Sequence, residues 1–243
     1  MKIAIVYPVI NQFKMAIQAI ESVKTIHTWT PFIIPQWRHT KPLSEAWNIG
    51  ITQAVEAKCD YILVSNDDVL YSPWTIDALV EELRTSSTTV VMATGCNQRG
   101  SFLIPELIKE MSQPNPEEVT KAESPDFSCF MVRRNFFDLV GTFDENIHPA
   151  YYEDNEMHIR INSLGFRAIC TTAAPFYHYG SASQNADLGN NRPLVDGNKF
   201  SLNGRYVTEK WGSTDASSPN LFKWPFNNPE NDAKIWKKEW RSY

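Results

Sequence analysis

The chain has no Cys-x-x-Cys pair: Cys59, Cys96, Cys129 and Cys170 are its four cysteines, and their wide spacing excludes a zinc knuckle and a thioredoxin-type dithiol. They are expected to be reduced and mostly buried, as small core hydrophobes. No Gly-x-Gly-x-x-Gly follows the first apolar run, so the phosphate-binding turn of a dinucleotide oxidoreductase is missing. Val9-Ile10-Asn11-Gln12-Phe13 likewise lacks the Gly- and Arg-rich loop that a sugar-nucleotide-forming nucleotidyltransferase needs. Positive charge is in deficit, with 23 Lys+Arg against 28 Asp+Glu and a net charge of -5, which argues against gripping nucleic-acid phosphates. No stretch approaches the ~20 apolar residues of a membrane span. Met1-Lys2-Ile3 leads into a short strand-like run rather than a signal-peptide core, and the expectation is a soluble, cytoplasmic protein.

What is present is an ordinary globular composition, 42% hydrophobic over 243 residues, enough for one α/β domain with an elaborated tail. Ile3 to Tyr7 is an apolar run ended by Pro8, and Phe13, Ala16, Ile17, Ile20 and Val23 then recur at helical spacing. Phe32 to Ile34 stops at Pro35, and Leu43, Ala46, Trp47, Gly50, Ile51, Ala54 and Val55 mark a second amphipathic helix. Strands at 61–64 and 90–93 flank a helix from about Pro73 to Leu83. Such alternation predicts βαβ units and a mainly parallel sheet, with ligands bound outside the carboxyl ends of the strands. Beyond a loop over Gln113 to Pro125, the pattern predicts a strand at 127–132, helices at 135–140 and 154–164, and a last strand at 168–171. Periodicity fades from Ser181 until Ala233 to Trp240. The organisation expected is a core over residues 1–183 and an aromatic-rich extension over 184–243 packed back on it, because its tryptophans and phenylalanines are costly to leave in water.

Three places carry candidate chemistry. Asn66-Asp67-Asp68 follows the third strand, and adjacent carboxylates repel unless solvated, capped or neutralised by a cation. Hard oxygen ligands suit Mn²⁺ or Mg²⁺, which complete their shells with waters and substrate phosphates; turn contacts or a helix cap are the alternative. His178, among Phe176, Tyr177 and Tyr179, is either a ligand or a packed core residue. Glu153 and Asp154 open the strongest later helix, where acids cap and complement the dipole, and where a general base for a hydroxyl would also be presented.

The order of these segments resembles family-two glycosyltransferases with the GT-A fold. The likeness runs from Lys2 to about Ser183 and is most specific from Phe127 to Gly165, with Arg133-Arg134, Val140-Gly141-Thr142-Phe143-Asp144 and the acidic pair in order. It implies transfer of a sugar from a nucleotide-sugar donor, a UDP-sugar being favoured, to a saccharide or glycolipid acceptor, with inversion and with Mn²⁺ or Mg²⁺ as cofactor. Pro8, Val9 and Asn11 would line the nucleobase, and Asn48 would lie near the nucleotide. Asp67 would approach the ribose, with Asn66 opening the triplet, and Asp68 with His178 would hold the metal. Asp154 would be the base, with Glu153 in reserve. Pro35-Gln36-Trp37-Arg38 departs from the acidic residue usual after the second strand; Gln36 can still read a pyrimidine edge through both donor and acceptor. Trp47 stands where the family has Arg. Arg205 and Lys210 could close over phosphates, but a solvated basic face is the reading preferred for either. A non-catalytic glycan- or nucleotide-sugar-binding module on the same fold is the alternative.

Overall fold

The computed structural model describes residues 1–10, 13–35, 42–98, 105–180 and 197–222. Its frame is an eight-stranded mixed sheet in the order β2-β1-β3-β7-β5-β8-β4, with β6 paired to β8. The strands are β1 (Lys2–Val9), β2 (Thr28–Pro35), β3 (Tyr61–Ser65), β4 (Val69–Tyr71), β5 (Val90–Asn97), β6 (Lys121–Ala122), β7 (Cys129–Arg133) and β8 (Arg167–His178). β1 pairs in parallel with β2 and β3, and β5 with β8, while β7, β4 and β6 run antiparallel to their partners. Five strands therefore share one direction. Helices α1 (Phe13–Glu21), α2 (Leu43–Glu56), α3 (Thr75–Thr85), α4 (Phe136–Val140), α5 (Glu153–Ser163) and α6 (Gly197–Trp211) complete the described fold.

β1 shows why the sheet lies in the middle. Its residues alternate between two separate cores: Ile3, Ile5, Tyr7 and Val9 meet α1 and α3, while Ala4 and Val6 meet α2 and the aromatic group Trp47, Phe130 and Phe143. A strand buried on both faces reads as a continuous apolar run. Pro8 does not end β1, as the run itself suggests, but sits inside it opposite Ile34. The β1–β3 ladder stops at Val6 and Val64, so Pro8 lies where one side of the strand has no pairing to lose.

Three elements differ from the pattern in the sequence. The buried stripe of α1 centres on Ala16 and Ala19, and Phe13 and Ile17 are 47% and 53% exposed, because the small alanines let the helix lie close on the sheet. β8 extends to His178 instead of stopping at 171, since it pairs with β5, then β4. α6 falls in a region with little apolar periodicity. Its inward residues are Asn203, Val207, Lys210 and Trp211, two of them polar, so burial there is through hydrogen bonds and ion pairs as well as packing. Trp224, Trp236 and Trp240 lie outside the described residues.

Candidate active site

The carboxyl end of β3 delivers Asn66, Asp67 and Asp68 into a tight return to β4. Pairing of β4 with β8 sets Val69 opposite His178. That register brings the imidazole beside the preceding acid: His178 Nε2 is 3.0 Å from Asp68 Oδ1 and 3.4 Å from Asn66 Nδ2. The return is held from both sides by backbone bonds, Tyr179 N–H to the Asp68 carbonyl (3.0 Å) and Asn66 N–H to the Ser128 carbonyl (2.9 Å). Asn97 at the end of β5 accepts from His178 N–H through Oδ1 at 3.3 Å. Asp67 and Asp68 are each only 4% exposed. The 3.0 Å between Asp68 Oδ1 and His178 Nε2 is a hydrogen-bond distance, and it is also one that two ligands of a single cation can take. Two ligand atoms about 2.1 Å from one octahedral cation lie about 3 Å from each other. No group of three His, Cys, Asp or Glu side chains converges for a metal among the described residues. If Asp68 and His178 held Mn²⁺ or Mg²⁺, its remaining positions would be left to substrate phosphate and water.

The second acidic pair opens α5. Tyr151 and Tyr152 both adopt left-handed backbone, φ 73° and 77°, and Glu153 begins α5 immediately after them. Burial, reinforced by Asp154, raises the Glu153 carboxyl to about 8. Its Oε2 has no hydrogen-bond partner among the described residues. Asp154 is less buried, and its Oδ1 accepts from Asn155 N–H at 2.8 Å. Burial, with a smaller push from the Asp126 charge, raises it as well. Asp126 accepts from Ser128 N–H at 2.9 Å, and the Ser128 carbonyl is the one that holds Asn66. One short turn thus connects the surroundings of both acidic pairs.

Other expected residues fall elsewhere. Asn48 is buried and its amide clamps a loop: Nδ2 donates to the Phe143 carbonyl and to Glu145 Oε1, both at 2.9 Å, and Oδ1 accepts from Phe143 N–H at 2.8 Å. Those bonds serve the chain rather than a nucleotide. Trp47 is core, edge-on to Phe130 and Phe143 at 5.4 and 5.0 Å. Pro8 and Val9 are the buried last residues of β1, and the Val9 side chain packs in the core. Asn11 and Gln36 lie outside the described residues. Lys210 is not on a solvated face: it is 1% exposed, and its Nζ reaches Asp144 Oδ2 at 2.6 Å and Glu156 Oε1 at 2.8 Å. Arg205 is exposed. Asn97 and Asn203 were not legible as site residues, because each works through a backbone contact far away in sequence.

Solved structures share this arrangement of sheet and helices. The catalytic domain of Drosophila β1,4-galactosyltransferase 7 in complex with xylobiose superposes with a TM-score of 0.54 at 16% identity, over 83% of this chain and 79% of that one. The fold is that of GT-A glycosyltransferases. A variant of the same Drosophila enzyme, in complex with manganese, UDP-Gal and xylobiose, gives 0.52 at 15% identity over 82% and 78% of the two chains. GalNAc-T7 with UDP, GalNAc and Mn²⁺ gives 0.61 at 14% identity, over 87% of this chain and 49% of that one. By sequence, the chain is 37% identical over 60 residues to the O-antigen biosynthesis protein RfbC of Myxococcus xanthus, covering 25% of the chain and 5% of that protein. It is 26% identical over 180 residues to a galactofuranosyl glycosyltransferase of Leishmania donovani, covering 58% of the chain and 42% of that protein. It therefore spans less than half the length of either curated relative. No family model matches it. Among the described residues no helix is long and apolar enough to cross a membrane.

Proposed function

We propose that this chain is a metal-dependent glycosyltransferase that moves a sugar from a nucleotide-sugar donor, a UDP-sugar by preference, to a hydroxyl of a saccharide or glycolipid acceptor. The observation that carries the reading is the approach of Asp68 and His178 across the β4–β8 ladder, beside Asn66, at the carboxyl end of β3. Its position on a fold shared with enzymes solved with manganese and UDP supports the same use here. Asp68 and His178 would hold Mn²⁺ or Mg²⁺ on the diphosphate, with Asp67 toward the ribose. A metal held there would supply Lewis-acid stabilisation of the leaving diphosphate, so that group would need no proton.

Asp154 takes the proton from the acceptor hydroxyl, and attack of the oxygen on the anomeric carbon displaces the nucleotide with inversion. The environment of the pair supports that assignment. Glu153 ionises only near 8, so at neutral pH it mostly keeps its proton, and the negative charge rests first on the better solvated Asp154. Burial raises the basicity of Asp154, which favours proton transfer near neutral pH. Asp68→Ala is expected to abolish Mn²⁺-dependent UDP binding in calorimetry while thermal unfolding stays close to wild type. Retained UDP–Mn²⁺ affinity removes the metal assignment, and a collapsed fold moves Asp68 to a structural role.

A further inference from the structure

Resting on the reading of Glu153 and Asp154 as the acid pair that takes the acceptor proton, we infer that α6 positions this pair, with Asn203 as its positioning residue. Two consecutive non-glycine residues in left-handed backbone, Tyr151 and Tyr152, are a conformation that side chains disfavour and that surrounding contacts must impose. Tyr152 packs with Ile147 and Ile159, and one face of α6 adds three contacts to the turn. Asn203 Nδ2 donates to the carbonyls of Ala150 at 2.9 Å and Tyr151 at 3.2 Å, tying down the entrance to the turn. Phe200 lies against both tyrosine rings, with centroids 5.6 Å from Tyr151 and 4.8 Å from Tyr152. Gly204 makes room: a Cβ there would stand 2.9 Å from Tyr152 Cζ.

The consequence for Glu153 and Asp154 is geometric. Tyr152 is the residue on which α5 starts, and its carbonyl accepts the first helical bond, from Glu156 N–H at 3.0 Å. The direction in which the first turn of α5 presents its acids is therefore set by the left-handed pair, and the pair is set by α6. α6 is itself fixed at its far end by Lys210, buried between Asp144 and Glu156. A sheet and α5 without α6 lack the device that holds the pair buried.

The test uses the full chain with Asn203→Leu, which keeps the branching of the side chain but removes the amide donor, and Asn203→Ser as a second form without added apolar bulk. Val207→Ala, in the core between α5 and α6, is the comparison for loss of packing alone. In the Asn203 variants the transfer kcat is expected to fall by about 10- to 100-fold, since a misplacement of about 1 Å can cost 10²-fold, with donor KM and UDP–Mn²⁺ affinity within twofold of wild type. The acid limb of the kcat–pH profile moves to lower pH as Glu153, which feels the charge of Asp154, and Asp154, which feels that of Asp126, gain water. Val207→Ala lowers the melting temperature and leaves kcat and the pH profile in place. A wild-type kcat in the Asn203 variants, or an equal kcat loss in Val207→Ala at matched stability, overturns the positioning role while the acid pair stands. Full turnover in both Glu153→Gln and Asp154→Asn removes the acid pair itself and the inference with it.

Discussion

At the scale of single residues, the chain places charge where water is scarce in two different ways. Asp144 and Glu156 are buried beside cations. Burial alone would raise Asp144, but the Lys210 ammonium and the Tyr206 hydroxyl outweigh it and hold the carboxyl at about 2; Arg160 and then Lys210 likewise lower Glu156 against its burial. Glu153 has no such partner, and burial next to Asp154 carries it from 4.5 to about 8. The sign of the linkage follows. A carboxyl whose folded pKa is raised disfavours the folded state once it must ionise, so its contribution is intact below about 4.5 and is lost as pH rises through about 8. Glu153→Gln removes that dependence. The stability of the variant relative to wild type is expected to increase from pH 5 to pH 8.5, read as the difference in denaturant midpoints at each pH; a constant difference would show that Glu153 is not buried as an acid.

Elements meet here through close approaches that a motif-level reading of the sequence treats as chemistry. Ala46-Trp47-Asn48-Ile49-Gly50 is such a motif, and in the fold all of it lies on α2. Trp47 fills the core, Asn48 clamps the 143–145 loop, and Gly50 lets the helix touch the sheet. A Cβ on Gly50 would stand 2.1 Å from Val6 Cγ1 and 3.2 Å from Ile34 Cγ1. Helix propensity alone favours alanine over glycine by about 1 kcal/mol. Overpacking against β1, which is held on both sides, costs about 1–3 kcal/mol and wins. Gly50→Ala should therefore lower stability by up to about 2 kcal/mol in chemical denaturation, the net of those two effects. A stabilised variant would mean that α2 can lift off the sheet at no cost. The segment from Phe143 to Tyr152 is held in the same manner: Asn48 bonds Phe143, Leu43 N–H reaches the Pro149 carbonyl at 2.9 Å, and Asn203 takes Ala150 and Tyr151.

Across the whole molecule, the described C-terminal helix is bound into the fold by charge as much as by apolar surface. Ile147, Ile159, Val207 and Trp211 form a third, small core, and Lys210 closes it by neutralising Asp144 and Glu156. Ending the chain at residue 196 removes the Lys210 ammonium from both carboxylates, leaving Arg160 on Glu156 and the Asn146 amides on Asp144, and uncovers the two isoleucines. Breaking a buried ion pair from one side costs about 3–5 kcal/mol, a large share of the roughly 5–15 kcal/mol by which a domain is stable. The shortened chain is expected to lose its cooperative thermal transition in circular dichroism. A sharp transition near that of the full chain would make α6 an appendage and would weaken its positioning of Glu153 and Asp154.

The α/β alternation, the extents of α2, β3 and α5, and the two acidic pairs were legible in the sequence because each is local: apolar periodicity marks a helix or strand, and polar residues after a strand mark the ligand-binding edge of an open sheet. Asn66, Asp67, Asp68 and His178 could be named as separate candidates on those grounds. Tertiary structure decided the rest, since each remaining feature depends on partners distant in the chain. The β4–β8 register brings His178 to Asp68 over 110 residues apart. Long-range hydrogen bonds from Asn48 and Asn203 serve carbonyls whose positions no periodicity encodes. α6 escaped notice because its inward face includes Asn203 and Lys210, whose burial is favourable only once Ala150, Tyr151, Asp144 and Glu156 are already in place.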